Sequence, residues 1–84
     1  MKKPIKLYAL STCSHCKATK KLLDTYHVDY ECTDVDLLEV LERAVVVAEI
    51  RQLNPQCSFP TIVIGERIIV GYREDEIREA LELS

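Results

Sequence analysis

A chain of 84 residues, 48% apolar and 30% charged with a formal net charge of −3, has the size and composition of one small domain. We therefore predict a single domain over residues 1–84. The acidic balance, without a basic patch interleaved with aromatics, argues against nucleic acid as a partner. The longest apolar stretch, residues 44–48, is too short to span a bilayer, and no signal peptide is visible. We expect a cytoplasmic protein with no membrane partner.

The charges are unevenly divided along the chain. The first 21 residues hold six lysines and no acid, whereas the remainder holds five arginines and 14 acids. Three of these lysines, Lys17, Lys20 and Lys21, fall in the first predicted helix. They form either a solvated helix face or a positive field that favours a thiolate and attracts acidic partners.

Hydrophobic periodicity predicts seven elements, strands alternating with helices until a final strand pair and helix. In chain order they are a strand over 5–10, a helix over 14–26, a strand over 29–35, a helix over 36–53, strands over 61–64 and 67–70, and a helix over 73–83. Apolar residues recur at helical spacing on one face of the first helix (Leu22, Leu23, Tyr26) and of the last helix (Ile77, Ala80, Leu81). The two-residue link Gly65-Glu66 predicts a tight hairpin between the last two strands. With a right-handed crossover, this βαβαββα order gives a four-stranded mixed sheet with helices on both faces.

The second helix is predicted to begin at Asp36 as its N-cap and to end at Asn54-Pro55. Its apolar face is assigned to the residues that recur at helical spacing: Leu37, Leu38, Leu41, Ala44, Val45, Ala48 and Leu53. If residues 44–48 were exposed instead, they would form an apolar patch suited to a structural interaction module.

The pair Cys13 and Cys16 carries the strongest chemical signal, because it lies between a predicted strand and a predicted helix. Two thiols at this spacing can close a disulfide across the first helical turn, and the helix N-terminus stabilises the first sulfur as a thiolate. Since the thiolate attacks disulfides, the pair predicts a redox function. His15 between them is a solvated turn residue or a second stabiliser of the thiolate, which would make the disulfide more oxidising than the roughly −270 mV of thioredoxin.

Three motifs together resemble the glutaredoxin family of the thioredoxin superfamily. They are Cys13-x-x-Cys16 at the start of the first helix, Ser58-Phe59-Pro60 before the third strand, and Gly71-Tyr72 with Asp75 before the last helix. The resemblance covers nearly the whole chain and implies an α/β, thioredoxin-like fold. It also implies a thiol–disulfide oxidoreductase that acts on protein disulfides or glutathione mixed disulfides, with no permanently bound cofactor.

The resemblance assigns a role to each motif. Cys13 is the attacking thiol and Cys16 the buried resolving thiol. Pro60 is a cis-proline, and the backbone of Phe59 pairs with an extended substrate segment. Tyr72, next to Gly71, is a docking residue. The candidates for holding glutathione as a co-substrate are Asp75 and, as the cation, Lys17 or Lys20. We expect a monomer whose partners are disulfide-containing proteins and a reductant.

The reductant stays open between glutathione and thioredoxin reductase. Common glutaredoxins carry Lys or Arg three residues before the first cysteine, where this chain has Leu10, and Gly-Gly where it has Gly71-Tyr72. Ala18-Thr19-Lys20, Gly71-Tyr72-Arg73 and Asp75 are closer to the glutaredoxin-like donors of ribonucleotide reductase, which draw on thioredoxin reductase. Residues 53–60 look like an ordinary glutaredoxin, which is the reading we favour.

Two further cysteines have separate interpretations. Cys57 is a packed small residue, or a redox-active or metal-binding thiol near the active site. Cys32 is predicted to pack in the core. Since Cys13, His15 and Cys16 are soft or borderline ligands, a metal or iron–sulfur carrier is a further alternative, although we expect no resident metal.

Overall fold

The computed structural model describes residues 4–82. Its elements are β1 (Ile5–Ala9), α1 (Ser14–Thr25), β2 (Glu31–Asp34), a 3-10 turn (Val35–Leu37), α2 (Val40–Leu53), β3 (Thr61–Ile64), β4 (Arg67–Val70) and α3 (Glu74–Glu82). The predicted βαβαββα order is confirmed. The last residue of the predicted final helix, residue 83, lies outside the described residues. Within residues 4–82, no helix has the length and apolar character needed to cross a membrane.

The four strands form one mixed sheet in the order β2-β1-β3-β4. β1 is parallel to β2 and antiparallel to β3, and β3 is antiparallel to β4. Gly65 and Glu66 link β3 to β4 as predicted, and Gly65 has a φ of 63°, which glycine adopts at little cost. Because β1 is central, the loop that follows it emerges from the middle of the sheet.

The main core lies between the sheet and the helices α1 and α3. Leu7, Ile62 and Ile69 are cross-strand neighbours on β1, β3 and β4, and all three are buried. Leu23 of α1 and Ile77 of α3 belong to the same buried cluster. The predicted buried face of the last helix (Ile77, Ala80, Leu81) is therefore confirmed.

The opposite face of the sheet is covered by α2, whose start differs from the prediction. Asp36 is not its N-cap, because the Asp36 carboxylate accepts hydrogen bonds from the Ser11 N–H (2.8 Å) and the Ser11 hydroxyl (2.5 Å). The chain forms the 3-10 turn there, and α2 begins four residues later with Glu39 at the N-cap. The Asp36 carboxylate thus binds Ser11, 25 residues away in sequence, instead of capping the N-terminus of α2.

The apolar face predicted for this helix is also largely wrong, although Leu53 packs on the sheet side as predicted. Leu37, Leu41 and Val45 are 70%, 83% and 70% exposed, whereas Ile50 is fully buried against Tyr8. Apolar residues occur on both sides of α2, so their spacing does not determine which side faces the sheet. The structure leaves Leu37, Val40, Leu41 and Val45 as an exposed apolar surface.

Candidate active site

The loop from β1 into α1 places Cys13 at the N-cap of that helix. The Cys13 backbone is extended, and its Sγ accepts a hydrogen bond from the Cys16 N–H at 3.4 Å. Two contacts fix the loop: the Cys13 N–H donates to the Leu10 carbonyl, and Asp36 holds Ser11. The Cys13 sulfur therefore lies at the positive end of the α1 dipole, with no acid in the first helical turn to offset it.

The two cysteines have opposite electrostatic environments. Cys13 is half-buried, and its pKa is lowered mainly by a hydrogen bond from the Cys16 thiol, with the N–H groups of Cys16 and His15 adding to the effect. Cys16 is fully buried, and burial raises its pKa to about 11, although the Leu10 N–H points at its sulfur at 3.5 Å. Near neutral pH the pair consists of a thiolate-prone, accessible sulfur and a buried thiol that donates to it.

The segment before β3 is held by a buried amide. The Phe59–Pro60 bond is cis, as the family resemblance implied. Asn54 is 4% exposed, and its side-chain N–H group donates to the carbonyl and hydroxyl of Ser58 and to the hydroxyl of Thr61. Sequence reasoning took Asn54 only as the end of a helix, because nothing in its spacing identifies Ser58 and Thr61 as partners.

Five of the predicted site residues line one shallow groove of about 440 Å³. They are His15, Phe59, Pro60, Gly71 and Tyr72, joined by Val70 and Arg73. The Gly71 N–H donates to the Pro60 carbonyl at 2.8 Å, which joins the segment before β3 to the segment after β4. Gly71 has a φ of 86°, a conformation that favours glycine. Cys13, Phe59 and Tyr72 pack against the same core cluster.

The remaining predicted site residues lie elsewhere or act differently. The His15 side chain is exposed and makes no hydrogen bond to Cys13 within the described structure; only its backbone N–H acts on the sulfur. Lys17 is exposed and does not line the groove. Asp75, in the first turn of α3, borders a separate cleft with Arg73. The glutathione-binding roles assigned to Lys17 and Asp75 remain predictions.

The two other cysteines occupy different environments. Cys57 is half-buried and packs against the cluster of Tyr8, Val35 and Ile50, which agrees with a small packed residue. Cys32 is exposed, so the prediction of core packing is wrong. Its register partner on β1 is the buried Leu7, but Cys32 itself is exposed because β2 is an edge strand.

No metal-binding cluster is present in the described part of the chain. Among residues 4–82, no three His, Cys, Asp or Glu side chains are grouped so that they could hold a metal ion. The metal-carrier alternative therefore gains no geometric support from these residues.

A CxxC pair at the N-terminus of α1, together with a cis-proline just before β3 of a four-stranded mixed sheet, defines a class of thiol redox proteins. The chain matches the Glutaredoxin family model over residues 5–69 and belongs to that family. It is 35% identical over 78 residues to an uncharacterized glutaredoxin-like 8.6 kDa protein in the rubredoxin operon of Clostridium pasteurianum, covering 93% of this chain and 97% of that one.

Two solved structures are similar along almost the whole chain. Methanoredoxin of Methanosarcina acetivorans is 46% identical with a TM-score of 0.91, over 95% of this chain and 85% of that one. Glutaredoxin of Methanosarcina mazei Go1 is 48% identical with a TM-score of 0.86, over 94% of this chain and 78% of that one. The family and the fold support a thiol redox function for this chain.

Proposed function

We propose that this protein reduces protein disulfides or glutathione mixed disulfides, with Cys13 as the attacking thiol and Cys16 as the resolving thiol. The asymmetry of the pair carries the proposal. Cys13 is accessible and its pKa is lowered, whereas Cys16 is fully buried with a pKa near 11. A nucleophilic thiol must be reachable and readily ionised, and only Cys13 combines exposure with a lowered pKa at this helix N-terminus.

The reaction takes two exchange steps. The Cys13 thiolate attacks one sulfur of the substrate disulfide, the substrate S–S bond breaks, and the departing thiolate takes a proton from water. Cys16 then loses its proton and attacks the Cys13 sulfur, which releases the second substrate thiol and leaves a Cys13–Cys16 disulfide. Two electrons pass to the substrate, and an external thiol or reductase restores the dithiol.

The groove beside Cys13 suits an extended substrate segment. Phe59, Pro60, Gly71 and Tyr72 all line it. Because Gly71 has no side chain, the groove stays open to a peptide backbone at that point. We infer that the segment pairs with the Phe59 backbone and that the Tyr72 ring contacts it.

A thioredoxin-reductase-dependent electron donor, for instance to ribonucleotide reductase, is the second candidate. One observation favours it: Leu10, where common glutaredoxins place a cation, packs against the cluster on the α2 side. In the groove itself, Arg73 already pairs with Glu76 at 3.5 Å and donates to the Val70 carbonyl. Leu10 is uncharged and the Arg73 guanidinium is already paired, so neither residue provides a free cation for a glutathione carboxylate. Reduction by glutathione or by thioredoxin reductase requires a reducing compartment, which supports a cytoplasmic location for the protein.

NADPH oxidation with a small disulfide substrate tests the proposal. We expect turnover with glutathione plus glutathione reductase, or with thioredoxin reductase alone, and the arm that responds identifies the reductant. Cys13→Ser should be inactive in both arms, whereas Cys16→Ser should accumulate a mixed disulfide through Cys13 with a protein substrate. Silence of the wild type in both arms, or full activity of Cys13→Ser, would overturn the proposal.

A further inference from the structure

The helix that begins at Cys13 carries two lysines in line with it. Lys17 and Lys21 follow Cys13 by four and eight residues, so all three lie on one face of α1. Eight residues of α-helix place Lys21 roughly 12 Å along the axis from Cys13. Both lysines are exposed, and neither makes an ion pair within residues 4–82. Lys20, by contrast, lies on another face and pairs with Asp34 at 2.9 Å.

Lys21 also lines a second groove, of about 320 Å³, between α1 and α3. Ala18 and Leu22 contribute apolar surface from α1, and Glu74 and Arg78 contribute from α3. The Arg78 guanidinium pairs with the Glu74 carboxylate at 2.6 Å, so these two charges offset each other. Lys21 is the remaining charged residue in the lining, so the net charge of the groove lining is positive.

Tyr72 joins this groove to the candidate active site. Its side chain borders both the α1–α3 groove and the groove beside Cys13. A chain that lies beside Cys13 can therefore continue past the Tyr72 ring onto α1. At about 3.4 Å per residue, an extended peptide covers the 12 Å from Cys13 to Lys21 in three to four residues.

We propose that the α1–α3 groove is a second substrate subsite, selecting disulfide substrates with an acidic residue three to four positions from the attacked cysteine. The acidic side chain pairs with Lys21, whereas Lys17, one turn earlier on α1, lines neither groove. This inference rests on the proposed disulfide reductase function and adds a substrate class to it. Charge complementarity carries it, because an approaching acid meets unpaired cations on this face and no unpaired acid in the groove.

Single-turnover kinetics with matched peptides test the subsite. Each substrate is the symmetric disulfide of a single-cysteine peptide, so either sulfur presents the same flanking sequence. One peptide carries Glu four positions before and after the cysteine, and its partner carries Gln there. Mixed with excess pre-reduced protein at low ionic strength, the Glu peptide should be reduced about three- to tenfold faster. The ratio should approach one in 1 M NaCl, where the screening length is about 3 Å.

Two variants separate a subsite from a general charge effect. Lys21→Gln should bring the Glu-to-Gln rate ratio close to one. Arg51→Gln removes the same charge from an exposed position on α2, on the opposite side of the sheet, and should keep the wild-type ratio. Reduction of both peptides by the wild type at equal rates would contradict the proposed subsite without contradicting the reductase function. Failure to reduce either peptide would instead overturn the reductase function.

Discussion

The two faces of the sheet are packed very differently. Among the described residues, the cluster on the α1 and α3 side has twelve buried members, including Cys16, and the cluster on the α2 side has three: Tyr8, Val35 and Ile50. The outer face of α2 is apolar and exposed, whereas the outer face of α1 is lysine-rich. The redox pair thus lies on the side of the sheet with the larger buried core. Packing of α1 against this core keeps Cys16 buried and Cys13 accessible. The helix α2 mainly shields the other face of the sheet from solvent.

The largest contrast is expected from truncating one leucine in each helix. Leu23 is fully buried in the α1 cluster, so Leu23→Ala should lower the free energy of unfolding by about 2–5 kcal/mol. Leu41 on α2 is 83% exposed, and Leu41→Ala should change it by less than about 0.5 kcal/mol. Urea denaturation of both variants measures the difference. Similar losses at the two positions would show that the outer face of α2 is covered in solution.

A smaller effect is expected at the amide that joins the α2 side to the site. Asn54→Ala removes the donor to Ser58 and Thr61 and the acceptor of the Gln56 N–H, which should cost about 1–3 kcal/mol of unfolding free energy. The loop that holds Phe59 and Pro60 then loses its anchor, so KM for a disulfide substrate should rise. Gln52→Ala, at an exposed position on α2, is the matched control. If Asn54→Ala is destabilised but its KM is unchanged, the Asn54 amide has a structural role only.

Hydrogen exchange should distinguish the two helices without any substitution. The middle amides of α1 are held by the larger cluster, whereas those of α2 are supported by Ile50 and a few half-buried neighbours. We expect α2 to open at a free energy lower by about 1.4 kcal/mol or more, which corresponds to tenfold faster exchange. Equal protection of the two helices would contradict the comparison.

The smallest effect is expected at the ion pair that ties α1 to the edge strand. Lys20 and Asp34 are 2.9 Å apart with side chains about a quarter exposed, so Lys20→Met should cost about 0.2–1 kcal/mol. Lys17→Met, which removes an unpaired lysine, should cost less. The hydrogen bond that Lys20 donates to the Asp34 carboxylate raises the pKa of Lys20, so the contribution of the pair to stability is present at neutral pH and disappears as the pH rises through that raised value. An equal loss in the two variants would show that the pair adds nothing.

The same comparison explains what the sequence could predict. In α1 and α3, apolar residues lie on one face only, so helical spacing identified Leu22, Leu23, Ile77 and Ala80 as buried. In α2 they lie on both faces, and only the structure shows that Ile50 faces the sheet. The two-residue link Gly65-Glu66 likewise placed the β3–β4 hairpin, but the alternation in β2 could not show that Cys32 is exposed on an edge strand.

The candidate site was predictable where local chemistry fixes it. Cys13 and Cys16 at a strand-to-helix turn, and the motif residues Phe59, Pro60 and Tyr72, lie where the resemblance implied. What escaped sequence reasoning depends on contacts between distant segments. The Ser11–Asp36 pair and the Asn54 amide both connect loops whose proximity only the assembled fold creates.

The central claim is that Cys13 is the thiolate of an asymmetric pair, and alkylation of the individual cysteines tests it most directly. The reduced protein is treated with iodoacetamide across a pH series, and each cysteine is followed by peptide mass spectrometry. Since alkylation follows the thiolate fraction, Cys13 should react first, with a midpoint below the usual thiol pKa. Cys32 is exposed but its pKa is raised, so it should lag at neutral pH, and Cys16 should react only on unfolding. Faster labelling of Cys32 or Cys16 than of Cys13 would contradict the account.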